Sequence, residues 1–171
     1  MKFILVRHCE TDWNREGRLQ GHTNTNLSER GWIQADELAR KLKKLEIRKI
    51  VSSDLKRSRE TASAIKEYIN VPVIYDARLR ECNFGFLEGG KKNPDGLWHG
   101  SYFNYDFTKY GGESRDAVLR RHSSLLDELS QDNSPEPILL IGHGTGLNTL
   151  LAHLKKTRIQ REEYQEIEYP G

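Results

Sequence analysis

Four short apolar runs, separated by stretches of helical periodicity, constrain this fold more than any other feature of the chain. The runs are KFILV (2–6), RKIVSS (48–53), VPVIY (71–75) and PILLI (137–141), with the length and composition of buried parallel strands. Between them apolar residues recur at steps of mainly three and four. From Ser28 to Leu45, the positions Ile33, Ala35, Leu38, Ala39, Leu42 and Leu45 predict an amphipathic helix with Ser28 as its N-cap. Further helices are expected from about Leu55 to Ile69, broken before Pro72, from Glu113 to Leu129 and from Thr145 to Leu154. Strands alternating with helices predict an α/β fold of three layers, α/β/α, around a mainly parallel sheet. At 171 residues the chain has room for one domain, spanning 1–171, and none for a second. The stretch 78–112 is irregular and rich in Gly and aromatics.

In open α/β sheets, ligands lie beyond the carboxyl ends of the strands. Three such ends carry unusual polar residues: VRH after the first strand, SSDLKR after the second and IGHG after the fourth. Arg7, His8, Arg57 and His143 are thereby expected to converge. Two guanidiniums and two imidazoles around one point suit a dianion. A phosphate monoester carries about −1.5 to −2 charges near neutral pH, and the guanidinium fork matches its oxygens bidentately. Taken singly, each arginine has the alternative of a surface ion pair and each histidine that of a hydrogen-bonded core residue. As a strand-end set they point to phosphate. His143 is also flanked by Gly142 and Gly144, which allow close approach of backbone to a ligand. For His8 to attack phosphorus, one ring nitrogen must be neutral and the other fixed as a donor, most simply to a backbone carbonyl.

The segment RHCETDWNRE (7–16) admits a competing reading. Counted from His8 it is H-C-x5-R, with Cys9 and Arg15 placed as the nucleophile and phosphate-binding arginine of a protein tyrosine phosphatase. That loop also needs an internal Gly and a Ser or Thr after the Arg, so that backbone N–H groups cradle phosphate and the thiolate is stabilised. Asp12 and Glu16 occupy those places here, and Arg57 and His143 are left without a role. Cys9 is then a small filler near the site, and one open to oxidation.

On these motifs the chain resembles the histidine phosphatase superfamily, which includes cofactor-dependent phosphoglycerate mutases and small bacterial phosphatases such as alpha-ribazole phosphatase. LVRHCETDWNREGRLQGHTNTNLSERGWIQA is similar to the family's opening, SSDLKRSRETA to its second motif, GGES to its third and IGHGTGLNTLL to its last. The likeness spans residues 2 to about 153. It implies a phosphoglycerate mutase-like fold with His8 as the phosphorylated nucleophile and Arg7, Arg57 and His143 as the phosphate-binding set. Asn14 matches a polar contact to the transferred phosphoryl group, and Gln20, Gly21 and Gly144 fall within the matched substrate-binding stretches. Glu81, in LRECNFGFLEG, matches the carboxyl group that protonates the leaving oxygen and then acts as base toward water. Glu88, seven residues on, is the second choice. Three departures stand out: Cys9 replaces the usual Gly, Asn24 stands where many members have Asp, and the tail after the last helix is short.

The aromatic segment 95–110, with Trp98, Tyr102, Phe103, Tyr105, Phe107 and Tyr110, is expected to form a cap or lid within about 82–112, as local core, as substrate contacts or as both. The insertion of the mutases at this place is longer, which favours an open pocket and hydrolysis. The reading is a metal-independent phosphatase of small phosphomonoesters acting through a phosphohistidine on His8; a cofactor-dependent mutase and a non-catalytic phosphate-binding or phosphoprotein-binding module are the alternatives. No HExxH or paired-cysteine spacing marks a metal site, His22, His99, His122 and His153 lack a comparable context, and no cofactor is expected. A formal net charge of +2 is too small for a nucleic-acid footprint. Two cysteines and an apolar start too short for a signal peptide or membrane span lead to the expectation of a cytoplasmic protein, monomer or homodimer, whose partner is its small substrate.

Overall fold

The computed structural model describes residues 2–91, 104–132, 134–156 and 164–167. Five strands are present among them: β1 (Phe3–Arg7), β2 (Lys49–Ser52), β3 (Val73–Tyr75), β4 (Ile138–Gly142) and β5 (Tyr164–Ile167). They form one sheet in the order β3-β2-β4-β1-β5, and every registered pair is parallel. The four apolar runs supply β1 to β4. β5, which adds an edge beside β1, comes from YQEI and was not expected from the sequence.

The helices are α1 (Asp12–Arg15), α2 (Glu29–Leu42), α3 (Lys56–Lys66), α4 (Arg115–Ser130) and α5 (Gly144–Lys156). The alternation of side chains along each strand divides the core in two. Ile4 and Val6 of β1, Ile50 of β2 and Leu139 and Ile141 of β4 pack with Leu38 and Leu42 of α2 and Ile65 of α3. Leu5, Val51, Ile138 and Leu140 face the other way, onto Leu125 and Leu129 of α4 and Leu151 of α5. The result is the three-layer α/β/α arrangement. Each face of a parallel sheet is covered, as its unbroken apolar runs require.

Ser28 caps α2 by accepting from the Gly31 N–H at 3.0 Å, worth about 1 kcal/mol. Its inward stripe is Gly31, Gln34, Ala35, Leu38, Ala39 and Leu42. Ile33, expected on that face, is 61% exposed, and Leu45 lies past the helix end. At 100° per residue Ile33 points away from Ala35, and Gln34 takes the inner place because its Oε1 accepts from the Glu10 N–H at 2.9 Å. Of the aromatic segment, 95–103 lies outside the described residues, Trp98, Tyr102 and Phe103 included. Tyr105, Phe107 and Tyr110 join Leu19, Cys82, Phe84 and Val118 in a third cluster, so this part of the segment is local core.

Strand register aligns the functional ends. Arg7 stands opposite Gly142 and Ser52 opposite Ile141. The ladder then runs one step further: the His8 N–H donates to the Gly142 carbonyl at 3.0 Å and the Ser53 N–H to that of Ile141 at 2.8 Å. His8, Ser53 and His143 are thereby brought to one level at the top of three adjacent strands.

Candidate active site

Beyond these strand ends lies a pocket open to solvent. Arg7, His8, Asn14, Gln20, Arg57, Glu81 and Gly144, all expected at the site, line it together. Arg18, Leu19, Phe84, Thr145 and Asn148 complete the wall.

The chemistry of its neighbours fixes the tautomer of His8. Its Nδ1 is 2.7 Å from the Cys9 carbonyl oxygen, which can only accept, so Nδ1 carries the proton. Its Nε2 lies 3.2 Å from Arg57 Nε, which can only donate, so Nε2 presents a lone pair. The expected backbone carbonyl is thus the one immediately following. The neutral imidazole has its nucleophilic nitrogen on the side of the buried guanidinium.

Arg57 enters from the first turn of α3 and is 1% exposed. Its two terminal nitrogens donate to the Thr23 carbonyl at 2.9 Å and the Gly21 carbonyl at 2.8 Å. Burial lowers its pKa to about 10, with the nearby carboxylates of Glu81 and Glu88 opposing that trend and Arg7 reinforcing it; the guanidinium stays charged at neutral pH. The 21–23 turn that holds it is itself held by Glu88. That carboxylate accepts from the N–H groups of His22 and Thr23, both at 2.9 Å, from Phe84 N–H at 3.2 Å and from the Thr23 hydroxyl at 2.6 Å. Glu88, second choice for the acid, is the anchor of a turn and is absent from the pocket wall.

Two amides are aimed by the same device. Asn14 Oδ1 accepts from the Thr11 N–H in a reciprocal capping box on α1, and Gln20 Oε1 accepts from the Thr25 hydroxyl at 2.5 Å. With their oxygens engaged, both residues have NH2 groups to offer the pocket, the polarity an anion needs.

Glu81 crosses to the N-terminus of α5. Its Oε1 accepts from the N–H groups of Cys82 and Gly146, both at 2.9 Å, and its Oε2 from that of Thr145 at 3.1 Å. These interactions use backbone donors that a helix start leaves unpaired. Oε1 accepts two bonds and Oε2 only one, so Oε2 keeps a lone pair that can carry the proton a leaving group needs.

His143 was expected to touch substrate, yet it is absent from the pocket wall and wholly buried. Its ring lies behind that of His8, centroids 5.1 Å apart, and its Nε2 is 2.8 Å from Ser53 Oγ and 3.2 Å from Ser58 Oγ. Burial, and then the charge of Arg57, hold it well below the usual histidine pKa, so it is neutral.

The cysteine reading fails on geometry. Cys9 is buried in the apolar core with Val6, Leu27 and Ala62, and its N–H donates to Thr61 Oγ1 at 3.1 Å. Burial pushes its thiol up to about 11, the opposite of what a nucleophile or an oxidation-prone cysteine needs. Arg15 is exposed and pairs with Asp12 on α1 at 2.8 Å. Asn24 replaces a side-chain cap that α3 lacks, its Oδ1 accepting from the Lys56 N–H at 2.9 Å.

Arg18 is the one cation of the wall that sequence reasoning missed. It is stacked 3.9 Å over the Trp13 ring while its Nε donates to the Gly89 carbonyl at 2.7 Å. Its position depends on pairing between residues 18–19 and 89–91, which is not local in sequence. Among the described residues no three His, Cys, Asp or Glu side chains are grouped so as to hold a metal ion, and no helix is long and apolar enough to cross a membrane.

Comparison with known proteins agrees with this geometry. The profile of the histidine phosphatase superfamily, branch 1, matches residues 3–170. The chain belongs to this superfamily. It is 35% identical to a probable phosphoglycerate mutase, GpmB, of Escherichia coli, over 97% of this chain and 86% of that protein. Among solved structures, a mycobacterial glucosyl-3-phosphoglycerate phosphatase is 36% identical with a TM-score of 0.78, covering 89% of this chain and 80% of the other. A putative alpha-ribazole-5'-P phosphatase from Escherichia coli K-12 is 26% identical with a TM-score of 0.74, covering 90% and 80%. Enzymes of this superfamily named as phosphatases and as mutases therefore both resemble the chain.

Proposed function

We propose that the protein is a metal-independent phosphatase of small phosphomonoesters, acting through a phosphohistidine on His8. The observation that carries this reading is the state of His8: protonated on Nδ1 by its bond to the Cys9 carbonyl, with the Nε2 lone pair beside a buried, charged guanidinium. Such a ring is a nucleophile whose orientation is set before substrate arrives.

In the first step Nε2 attacks phosphorus, the P–O bond to the alcohol breaks, and Glu81 protonates the departing oxygen. The long Arg57–Nε2 bond opens as Arg7, Arg57 and the Asn14 and Gln20 amides take up the negative charge on the phosphoryl oxygens. In the second step Glu81 removes a proton from water, the water oxygen bonds to phosphorus, and the P–N bond breaks, releasing phosphate and restoring His8. Arginines supply the positive field that a metal ion supplies elsewhere. Retention of nucleophile, acid and phosphate cradle argues against a mere binding module.

The experiment is a panel of phosphate esters, p-nitrophenyl phosphate included, read by released inorganic phosphate. In parallel, 3-phosphoglycerate primed with 2,3-bisphosphoglycerate is followed for both products. Turnover to phosphate supports the proposal. Rapid interconversion to 2-phosphoglycerate, with negligible phosphate from every ester, places the chain among the mutases.

A further inference from the structure

The GGES motif contributes nothing to the pocket wall, yet its Glu113 is one end of a network that terminates on Glu81. The other end is Arg121 of α4. A guanidinium has five N–H hydrogens, and those of Arg121 meet five acceptors. Nε donates to Glu113 Oε1 at 3.0 Å, and one terminal nitrogen donates to the carbonyls of Arg78 at 2.9 Å and Arg80 at 2.5 Å. The second donates to the Glu81 carbonyl at 2.8 Å and to Glu113 Oε2 at 2.9 Å. Glu113 Oε2 also accepts from the Asn83 N–H at 2.9 Å, and the Glu81 carbonyl accepts from His22 Nε2 at 2.9 Å.

Residues 80–84 have no helix or strand to satisfy their backbone. One ion pair does much of that work, with the carbonyls of 80 and 81, and that of 78 just before the segment, on the guanidinium and the N–H of 83 on the carboxylate. The Glu81 side chain leaves this segment toward the N–H groups of Thr145 and Gly146, so the network sets where its carboxylate stands. Arg121 itself does not reach the pocket wall.

We propose that Arg121, through its pair with Glu113, is a positioning residue that aims Glu81 at the leaving oxygen. The proposal rests on the reading of Glu81 as general acid. It makes a prediction that a purely structural role does not: loss of aim matters in proportion to how much the leaving group needs a proton. p-Nitrophenolate departs without one; an alkoxide does not.

The test measures kcat/KM, which reports steps up to release of the alcohol, on p-nitrophenyl phosphate and on glycerol 3-phosphate, for the parent, Glu81→Gln, Arg121→Gln and Glu113→Gln. Glu81→Gln should lose on the order of 10²–10⁴ on the alkyl ester and far less on the aryl ester, the span of general acid catalysis. Arg121→Gln should show the same pattern on a smaller scale, with an alkyl loss at least about tenfold greater than the aryl loss. Glu113→Gln breaks the ion pair with an isostere and carries the same comparison if Arg121→Gln does not fold. Equal losses on both esters, or none, in folded Arg121→Gln or Glu113→Gln overturn the positioning role while Glu81 keeps its own. Equal losses in Glu81→Gln overturn the acid assignment and the proposal with it.

Discussion

Gly21→Ala should unfold the phosphate cradle from a distance, and the structure gives the size of the effect. Gly21 has φ of +51°, the left-handed region, where a Cβ costs about 1–2 kcal/mol. That Cβ would also stand 2.0 Å from Glu88 Oε1 and 2.5 Å from Cδ, so the carboxylate must leave. Glu88 then gives up hydrogen bonds from His22, Thr23 and Phe84. Bonds to a charged group are worth about 1.5–3 kcal/mol each, but at a half-buried site water replaces part of the set, leaving roughly 2–4 kcal/mol. The total is about 3–6 kcal/mol, which for a chain of this size lowers Tm by roughly 10–15 °C. Activity should fall with it, because the Gly21 carbonyl is one of the two that hold Arg57. The assay is chemical denaturation of Gly21→Ala, Glu88→Ala and the double variant. With Glu88 truncated, the added methyl should cost only the backbone term, about 1–2 kcal/mol. A Gly21→Ala protein within about 1 kcal/mol of the parent, or an equal cost in both backgrounds, refutes the reasoning.

Two buried histidines make stability depend on pH. Burial, then the charge of Arg121, lowers His122 from 6.5 to about 3, and His143 lies well below its usual value. The unfolded chain therefore binds two protons below pH 6.5 that the folded chain refuses. This stability is complete above 6.5 and declines as pH falls, at a slope approaching about 2.7 kcal/mol per unit. His122→Leu should halve that slope in urea titrations between pH 6.5 and 4.5; a flat profile across this range contradicts it. Cys9→Ser should keep turnover within a few-fold of the parent and lose about 1–2 kcal/mol by burying a hydroxyl in apolar core, and the native thiol should react with alkylating agents only as the protein unfolds. Activity should survive EDTA, and a chelator-sensitive enzyme restored by Mg²⁺ would mean the charge of the cradle is not supplied by arginine alone.

The fold was legible where burial on both faces forces an apolar run, in β1, β2 and β4, and where apolar periodicity and caps like Ser28 mark α2 to α5; β3 follows from VPVIY although Ile74 and Tyr75 lie exposed at the sheet edge. β5 was not, since YQEI at a sheet edge needs no apolar run, and α1 is a single turn. Ile33 was misplaced because apolar spacing alone does not register that Gln34 is drawn inward by the Glu10 N–H. At the site, the strand-end rule located Arg7, His8 and Arg57. It could not separate His143 from the wall, because one strand level holds both the residue that faces the pocket and the one packed behind it. Arg18 and the Arg121–Glu113 pair escaped notice for a different reason: their partners, at 89 and at 78–83, are set by loop packing that no local pattern encodes.

A phosphohistidine on His8 is tested most directly by identifying the phosphorylated atom. Glu81→Gln is mixed with p-nitrophenyl phosphate, whose leaving group needs no proton, so that the phosphoenzyme forms while its hydrolysis is slowed. The quenched protein is then mapped by mass spectrometry under alkaline conditions that preserve phosphohistidine. One phosphoryl group is expected, on His8, retained in a Cys9→Ser background and absent after His8→Ala. Phosphate on Cys9, or burst-free turnover with no covalent species on His8, would contradict it.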